Sequence, residues 1–319
     1  MAHPRPFRFG VQCSTPPDYR PSTWAELART CEGLGYSVLT VADHFDNQYA
    51  PVPALMAAAD ATTTLRVGAL VLCTDYAHPV VIAKQAATID LLSDGRFELG
   101  LGAGWMRSDY DAAGLPYDPP AVRLDRLGES LHVLKGLFGP DPLTFHGTHY
   151  RITDLDGLPK PVQAPHPPLL VGGGGRRVLG LAAREADIVS VHCNLRRGEV
   201  DAEAAADLSA ERVAEKVGWV RAAAEEAGRP FEELELQFTT YLCEVTDAPR
   251  AADARGSSFA KLLAADPELL ERSPTVLVGT VAECVEKLQE RRELYGFSYL
   301  NLGSDLDNVA PIVARLHGT

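Results

Sequence analysis

Short runs of apolar and β-branched residues alternate with longer amphipathic runs along the whole chain. This alternation is typical of parallel strands joined by crossover helices. It predicts eight strands: Phe7–Gln12, Val38–Val41, Leu65–Leu72, Phe97–Leu101, Leu169–Gly172, Ile188–Val191, Leu236–Leu242 and Tyr299–Gly303. It also predicts six helices between them: Trp24–Leu34, Val80–Leu92, Arg123–Phe138, Val178–Glu185, Ala210–Ala227 and Val281–Leu294.

Eight strands with intervening helices in 319 residues fit a (β/α)8 barrel, which typically takes about 250 residues and carries the excess as insertions. A doubly wound open sheet is the alternative. It is disfavoured because the first strand leads into Cys13–Pro17, without the Gly-x-Gly-x-x-Gly of a dinucleotide fold. We expect one domain over residues 1–319, with insertions at about 139–168 and 246–273. The first, rich in proline, is either a lid or wall of a binding site or a stiffened surface connection.

The charge balance narrows the classes of partner. The chain has 30 Lys and Arg residues against 43 Asp and Glu residues, a formal net charge of -13. Such a protein repels phosphodiesters and anionic lipids, so we expect neither a nucleic-acid nor a membrane partner. The residues from Met1 to Pro6 lead into a strand-like run without the basic and apolar regions of a signal peptide, so we expect the protein in the cytoplasm.

The six cysteines are scattered, with no Cys-x-x-Cys spacing, and we expect them to be buried reduced thiols. The sequence contains no His-Glu-x-x-His and no Gly-x-Ser-x-Gly. His192 and Cys193 are adjacent, which is not a spacing that suits two ligands of one metal ion. The sequence therefore predicts no metal site.

In a (β/α)8 barrel the active site is built at the carboxyl ends of the strands. Asp43 and His44 follow the second predicted strand directly. A histidine there can give or take a proton near neutral pH, and the adjacent carboxylate can fix its tautomer or bind a ligand. The alternative is a capped loop whose imidazole has only structural partners.

The ends of strands three and four supply small and apolar residues. Those of strand three suit the support of a flat ring, and the fourth continues as Gly100-Leu101-Gly102-Ala103-Gly104-Trp105. Glycines allow a close approach of a ligand or of a neighbouring strand, and Trp105 adds a large apolar face. Tight barrel packing explains these glycines equally well.

A glycine run follows strand five, at Gly172-Gly173-Gly174-Gly175-Arg176-Arg177. Flexible amides at the start of a helix, beside two guanidinium groups, form a candidate phosphate site. The alternative is a glycine-rich turn with solvated arginines, and the run is not a P-loop because no Gly-Lys-Ser/Thr follows. His192 follows strand six and is a candidate contact for the phosphate or the substrate.

The run from His78 to Trp105, HPVVIAKQAATIDLLSDGRFELGLGAGW, resembles the central segment of the bacterial luciferase-like family of flavin and deazaflavin enzymes. The likeness extends through Gln163–Pro168, the glycine run and Val278–Thr280. The resemblance implies a (β/α)8 barrel with insertions.

Within that family, Val41-Ala42-Asp43-His44-Phe45 is similar to the branch that uses coenzyme F420. The resemblance implies that Asp43 contacts the cofactor and that His44 lies near its reactive face as a proton donor or acceptor. It also implies a bulge at Leu70–Val71, often with a non-prolyl cis peptide, behind the ring. The remaining cofactor contacts that it implies are Cys73, Ala103 and Gly104 along the cofactor, and Gly173, Gly174, Gly175 and Arg176 near its phosphate.

Trp105 departs from the pattern of the deazaflavin-dependent sugar-phosphate dehydrogenases, in which a glutamate follows the strand-four glycines. We therefore expect a more apolar organic substrate, with Trp105, Phe45 and His192 as candidate contacts. The sequence predicts a coenzyme F420-dependent oxidoreductase, with an FMN-dependent two-component monooxygenase or a non-catalytic cofactor-binding homologue as alternatives. By similarity we expect a homodimer and a separate reductase that regenerates the reduced cofactor.

Overall fold

The computed structural model describes residues 5–13, 18–246, 258–303 and 305–319, without the side chains of residues 258–260 and 264. Within these ranges the chain forms the following strands: β1 (Arg8–Gln12), β2 (Val38–Val41), β3 (Arg66–Ala69), β4 (Leu72–Cys73), β5 (Phe97–Gly102), β6 (Leu143–His146), β7 (Arg151–Leu155), β8 (Leu169–Gly173), β9 (Ile188–Val191), β10 (Glu235–Thr240), β11 (Leu242–Val245), β12 (Val276–Gly279) and β13 (Phe297–Leu302).

A short 3₁₀ helix covers Phe231–Glu233. The α-helices of the described residues are α1 (Pro21–Gly33), α2 (Pro51–Asp60), α3 (Pro79–Leu92), α4 (Arg107–Ala113), α5 (Pro120–Phe138), α6 (Arg176–Glu185), α7 (Ala202–Ala206), α8 (Ala210–Glu226), α9 (Ser258–Ala265), α10 (Pro267–Arg272), α11 (Val281–Tyr295) and α12 (Leu306–Leu316). No helix among the described residues is long and apolar enough to cross a membrane.

Nine of these strands belong to one sheet. Both β3 and β4 pair in parallel with β5, so they are two pieces of one barrel strand, interrupted at Leu70 and Val71. Eight parallel strands with helices between them make a (β/α)8 barrel fold, which confirms the predicted fold class and rules out the open doubly wound sheet. All eight predicted barrel strands are present, most with ends shifted by one or two residues.

The chain forms two compact units. Unit 1 comprises Met1–Gln12, Arg29–Val38 and Gly172–Thr319. Its strands β1, β13, β10 and β9 pair in parallel, in that order. The rings of Phe238 and Phe297 stack at 4.4 Å between centroids, and both are buried. Burying one such side chain stabilises a fold by about 1.5–3 kcal/mol, so both rings contribute to the stability of this unit.

Unit 2 comprises Cys13–Ala28 and Leu39–Val171. Here β5 pairs in parallel with β3, β4 and β8. Helix α3 begins at Pro79, whose fixed φ suits the first helical turn, and the Nδ1 atom of His78 accepts the N–H of Val80 at 3.3 Å. These local signals set the start of the helix that follows the third barrel strand.

The insertion at residues 139–168 contains an antiparallel hairpin of β6 and β7. The Glu129 carboxylate of α5 accepts the backbone N–H groups of Thr148, His149 and Tyr150 at 2.7, 2.9 and 3.0 Å. Burial opposes the ionised form of Glu129, but these hydrogen bonds outweigh it and lower its pKa. The buried Asp90 of α3 accepts two more backbone N–H groups near the end of the insertion. The insertion is thus anchored to two helices, α3 and α5.

The second expected insertion, residues 246–273, lies partly outside the described residues, at positions 247–257. Its described part is helical, in α9 and α10. The predicted strand Leu236–Leu242 was wrong at its end, because β10 stops at Thr240 and β11 pairs in a separate sheet with β12. The backbone N–H of Tyr241 donates to the carbonyl of Thr275 at 2.9 Å, which turns the chain between the two sheets. Apolar residues continue after this turn, at Tyr241, Leu242 and Cys243, so the sequence pattern could not locate it.

Candidate active site

Asp43 and His44 follow β2, a strand of four buried residues. The Oδ2 atom of Asp43 accepts the backbone N–H of Cys73 at 3.0 Å. Burial raises the pKa of this carboxyl, partly offset by that hydrogen bond and by the neighbouring His44. Its Oδ1 atom has no hydrogen-bond partner among the described residues and remains available to a ligand.

The His44 imidazole is held on one side by a carboxylate and on another by an aromatic ring. Its Nδ1 atom lies 2.7 Å from Oδ2 of Asp109, and the two side chains are 19% and 5% exposed. The Trp105 ring meets the imidazole edge to face, with centroids 5.5 Å apart. The Nε2 atom makes no hydrogen bond within the described ranges, so it is the ring nitrogen that a ligand can reach.

Asp109 links α4 by hydrogen bonds to the loop after β2 and the loop after β4. Besides His44, it accepts the Tyr76 hydroxyl at 3.2 Å and the backbone N–H of Phe45 at 3.4 Å. The exposed Phe45 ring lies 4.5 Å from that of Tyr76. Sequence reasoning missed Asp109, because α4 was not predicted and His44 is 65 positions away. The available signal was an acidic residue just after Trp105, in a loop that follows a barrel strand.

The Leu70–Val71 peptide between β3 and β4 is cis, as the resemblance implied. Two glycines of β5 allow this strand to pass close by. A Cβ at Gly100 would overlap the carbonyl oxygen of Ala69, and one at Gly102 would lie 2.6 Å from Cγ2 of Val71. Strand packing therefore requires both glycines, whatever ligand binds nearby.

Gly104 has φ +73°, in the left-handed region, and a Cβ there would overlap the hydroxyl of Tyr110 and lie 2.7 Å from Sγ of Cys73. The buried guanidinium of Arg123 donates to the carbonyls of Ala103 and Gly104. Burial raises the pKa of Cys73 to about 12, so its thiol stays protonated at neutral pH. Among these predicted cofactor contacts, Cys73 and Gly104 lie together.

A cavity of about 350 Å³ lies within unit 2. In its lining, the Arg126 guanidinium forms ion pairs with Asp75 and Asp118, with N–O distances of 2.6 and 2.5 Å. The Tyr76 and Tyr150 rings contribute to its walls, the second from the anchored insertion. The lining residues are Thr74, Asp75, Tyr76, Ala77, His78, Tyr110, Leu115, Pro116, Asp118, Arg126 and Tyr150. Two carboxylates around one guanidinium leave this cavity with excess negative charge.

The glycine run of unit 1 joins β8 to α6, with Gly175 as an N-cap that offers no side-chain acceptor. A Cβ at Gly173 would overlap Val178, and one at Gly174 would overlap the backbone of Cys193. These two glycines are required by packing. At Gly175 the nearest atom to a Cβ would be Nδ2 of Asn194, at 3.4 Å. The first turn of α6 and the exposed Arg176 thus remain available to an anion.

His192, also in unit 1, is engaged with protein groups. Its Nε2 atom hydrogen-bonds the hydroxyl of Tyr241, and Nδ1 lies 3.2 Å from Sγ of Cys193. Burial lowers its pKa to about 4, so the imidazole is neutral at pH 7. The nearby Lys216 is completely buried and pairs with Asp207 at 2.6 Å. A substrate contact by His192 stays a prediction.

The sequence model of the family described as luciferase-like monooxygenase matches residues 6–297. The chain therefore belongs to the luciferase-like family of oxidoreductases and monooxygenases, as the resemblance predicted. It is 31% identical over 231 residues to an FMNH2-dependent dimethylsulfone monooxygenase of Pseudomonas putida, which covers 70% of this chain and 61% of that enzyme. It is 32% identical over 192 residues to an F420-dependent glucose-6-phosphate dehydrogenase of Nakamurella multipartita, which covers 58% of this chain and 56% of that enzyme.

The chain spans less than two thirds of the length of either of these curated relatives. Among solved structures, a coenzyme F420 dependent tetrahydromethanopterin reductase from Methanopyrus kandleri has a TM-score of 0.77 at 20% identity, covering 97% of both chains. An identity this low supports the fold alone. Relatives that use the two cofactors therefore share this family, and the choice between them rests on the site.

Proposed function

We propose that the protein is a coenzyme F420-dependent oxidoreductase that transfers a hydride between the deazaflavin and a small organic substrate. The observation that carries the proposal is the Asp43–His44 pair after β2, because it leaves Oδ1 of Asp43 and Nε2 of His44 without hydrogen-bond partners among the described residues. A free carboxyl oxygen and a free imidazole nitrogen suit the polar edge of a deazaflavin and a proton transfer beside it.

When bound, the deazaflavin supplies the hydride-transferring carbon. In this proposal Asp43 hydrogen-bonds the cofactor through Oδ1, while Leu70 and Val71 back the ring. His44 gives or takes the substrate proton at Nε2. Cys73 contacts the cofactor as a neutral thiol, which its raised pKa of about 12 supports.

The other predicted contacts keep the roles that the resemblance implied. Ala103 and Gly104 lie along the cofactor in this proposal, held by Arg123 through their carbonyls. In unit 1, Gly173, Gly174, Gly175 and Arg176 bind phosphate, through the amides of the α6 start and the exposed guanidinium.

Two features support an uncharged or cationic substrate in preference to a sugar phosphate. Trp105 stands where the resemblance places a glutamate in the sugar-phosphate dehydrogenases, and it packs against His44. The 350 Å³ cavity, which shares Tyr76 with the His44–Asp109 cluster but is not lined by His44 itself, carries the carboxylates of Asp75 and Asp118 against the single guanidinium of Arg126. Excess negative charge disfavours a phosphorylated ligand.

The deciding experiment is a side-by-side titration with coenzyme F420 and with FMN, oxidised and reduced, followed by fluorescence at fixed salt. We expect selective binding of the deazaflavin in the micromolar range, and weaker binding by Asp43→Ala. A protein with Asp46→Ala, an exposed residue of the same loop, is the matched control. Binding of neither cofactor would refute the proposal.

A second candidate is an FMN-dependent monooxygenase that receives reduced flavin from a separate reductase. The identity of 31% to the dimethylsulfone monooxygenase favours it. It predicts selective FMN binding and oxygen consumption when reduced FMN is supplied with an oxidisable substrate. The homodimer and the partner reductase remain predictions, which sedimentation of the purified protein and reconstitution with a reductase would test.

A further inference from the structure

The buried carboxylate of Asp109 has no role in the function proposed above, although it contacts the one side chain to which that function assigns proton transfer. Asp109 is 4% exposed and lies in α4, which follows the fourth barrel strand. Its Oδ2 atom is 2.7 Å from Nδ1 of His44. A buried carboxylate at hydrogen-bond distance from one imidazole nitrogen determines which nitrogen carries the proton.

We propose that Asp109 is a positioning residue that holds His44 as the Nδ1–H tautomer and so makes Nε2 the atom that exchanges a proton with the substrate. The proton transfer in this inference rests on the proposed function, whereas the choice of tautomer depends only on residues of this chain. An ionised carboxylate can only accept hydrogen bonds. Nδ1 must therefore donate to it, which leaves the Nε2 lone pair free in the neutral ring.

Two further contacts fix the orientation of the carboxylate. The backbone N–H of Phe45, which can only donate, forms a hydrogen bond to Oδ1 of Asp109 at 3.4 Å. The Tyr76 hydroxyl donates to Oδ2 at 3.2 Å, beside the bond from His44. Because the donors come from two different loops, rotation of the Asp109 side chain would break several bonds at once.

Trp105 restricts the imidazole from another direction. Its ring stands edge to face with that of His44, at an interplanar angle of 85°. Flipping the imidazole about Cβ–Cγ would remove Nδ1 from Asp109 and present a carbon to the carboxylate. The hydrogen bond and the ring contact together select one tautomer in one orientation.

The test is the tautomer of His44, measured by ¹⁵N–¹H correlation spectra of protein labelled at its nine histidines, without cofactor and at a pH where the ring is neutral. Loss of a signal in His44→Gln assigns the resonance. We expect the wild-type ring to be almost entirely Nδ1–H. A wild-type ring with Nε2–H as the main form would overturn the inference, whether or not any variant folds.

In Asp109→Ala we expect the Nδ1–H fraction to fall to a minority, and added formate, which can occupy the vacated space, to restore it. Asp109→Leu keeps the volume and removes the acceptors, and it replaces the alanine variant if that protein does not fold. Asp111→Asn is the matched control, since Asp111 lies on the same helix and is exposed. An unchanged tautomer in the Asp109 variants, or the same change in the control, would refute the proposal.

With substrate and cofactor, Asp109→Ala should lose roughly 10- to 100-fold in kcat, part of the 100- to 10,000-fold typical of general acid–base catalysis. The Kd of the cofactor should change less than about threefold, and formate should restore turnover. The two failures are distinguishable. If the protein binds no deazaflavin, the proposed function fails while the tautomer result stands; if it binds and the tautomer does not depend on Asp109, only this inference fails.

Discussion

Replacing Gly104 with alanine tests whether the contact between Tyr110 and Cys73 determines the backbone path after β5. Alanine at φ +73° costs about 1–2 kcal/mol from the left-handed conformation alone. The new methyl group would also overlap the Tyr110 hydroxyl, which donates to Asp75 at 2.9 Å. Forcing an extra carbon into a packed site costs a further 1–3 kcal/mol, roughly. We expect a total loss of about 2–5 kcal/mol in the free energy of unfolding.

Gly114 provides a matched control, because it has φ +68° and no atom lies within 4 Å of the place that an alanine methyl group would take. Gly114→Ala should therefore cost only about 1–2 kcal/mol, the conformational part. Urea unfolding followed by circular dichroism measures both variants against the wild type. Equal losses in the two variants would refute the packing argument and leave only the backbone conformation as the reason for Gly104.

Three other changes test separate parts of the structure. Glu129→Gln should destabilise the protein by about 1.5–3 kcal/mol at pH 7, because three N–H donors lose a charged acceptor. Folding lowers the Glu129 pKa, so this stabilisation is fully present above the ordinary carboxyl pKa. It is lost as the pH falls through the pKa of the folded protein. The urea midpoints of the wild type and the variant should therefore converge in acid. Lys216→Met should lower the free energy of unfolding by about 3 kcal/mol, because Asp207 loses its buried partner. Arg212→Met removes the more exposed partner of Asp207 and should lower it by less than about 1 kcal/mol. Equal losses in the two variants would contradict this. Finally, His44→Ala should lower turnover by roughly 100-fold or more with little change in cofactor Kd, and full turnover in steady-state assays would exclude the proton-transfer role.

The barrel was predictable because most residues of its strands are buried and many are apolar or β-branched, as in Val38–Val41. The same rule failed after Thr240, where the next strand is equally apolar but belongs to another sheet. Periodicity reports burial along the chain and carries no information on which strand is the neighbour. The short helix α4 was missed for a related reason, since seven residues give too little periodicity to detect.

The site was predictable in part. The ends of barrel strands pointed to Asp43 and His44 as candidates from the sequence, because fold topology alone puts such residues at one mouth. The hydrogen bond from His44 to Asp109 was not predictable, because it depends on where α4, a helix that the sequence did not predict, lies relative to the loop after β2. The glycines of β5 were ambiguous in sequence, and the distances from Gly100 and Gly102 to the neighbouring strand show that packing already requires them.

Those glycines also bear on how this barrel can diversify. Gly100, Gly102 and Gly104 occupy alternate positions, and at each of them any larger residue collides with backbone or a neighbouring side chain. Ala103 and Trp105, between and after them, are partly exposed. In a mutational library aimed at new substrates, folding should therefore tolerate many residues at position 105 and almost none at 100, 102 or 104. The end of β5 thus combines three positions that packing restricts to glycine with an adjacent position, 105, that can vary.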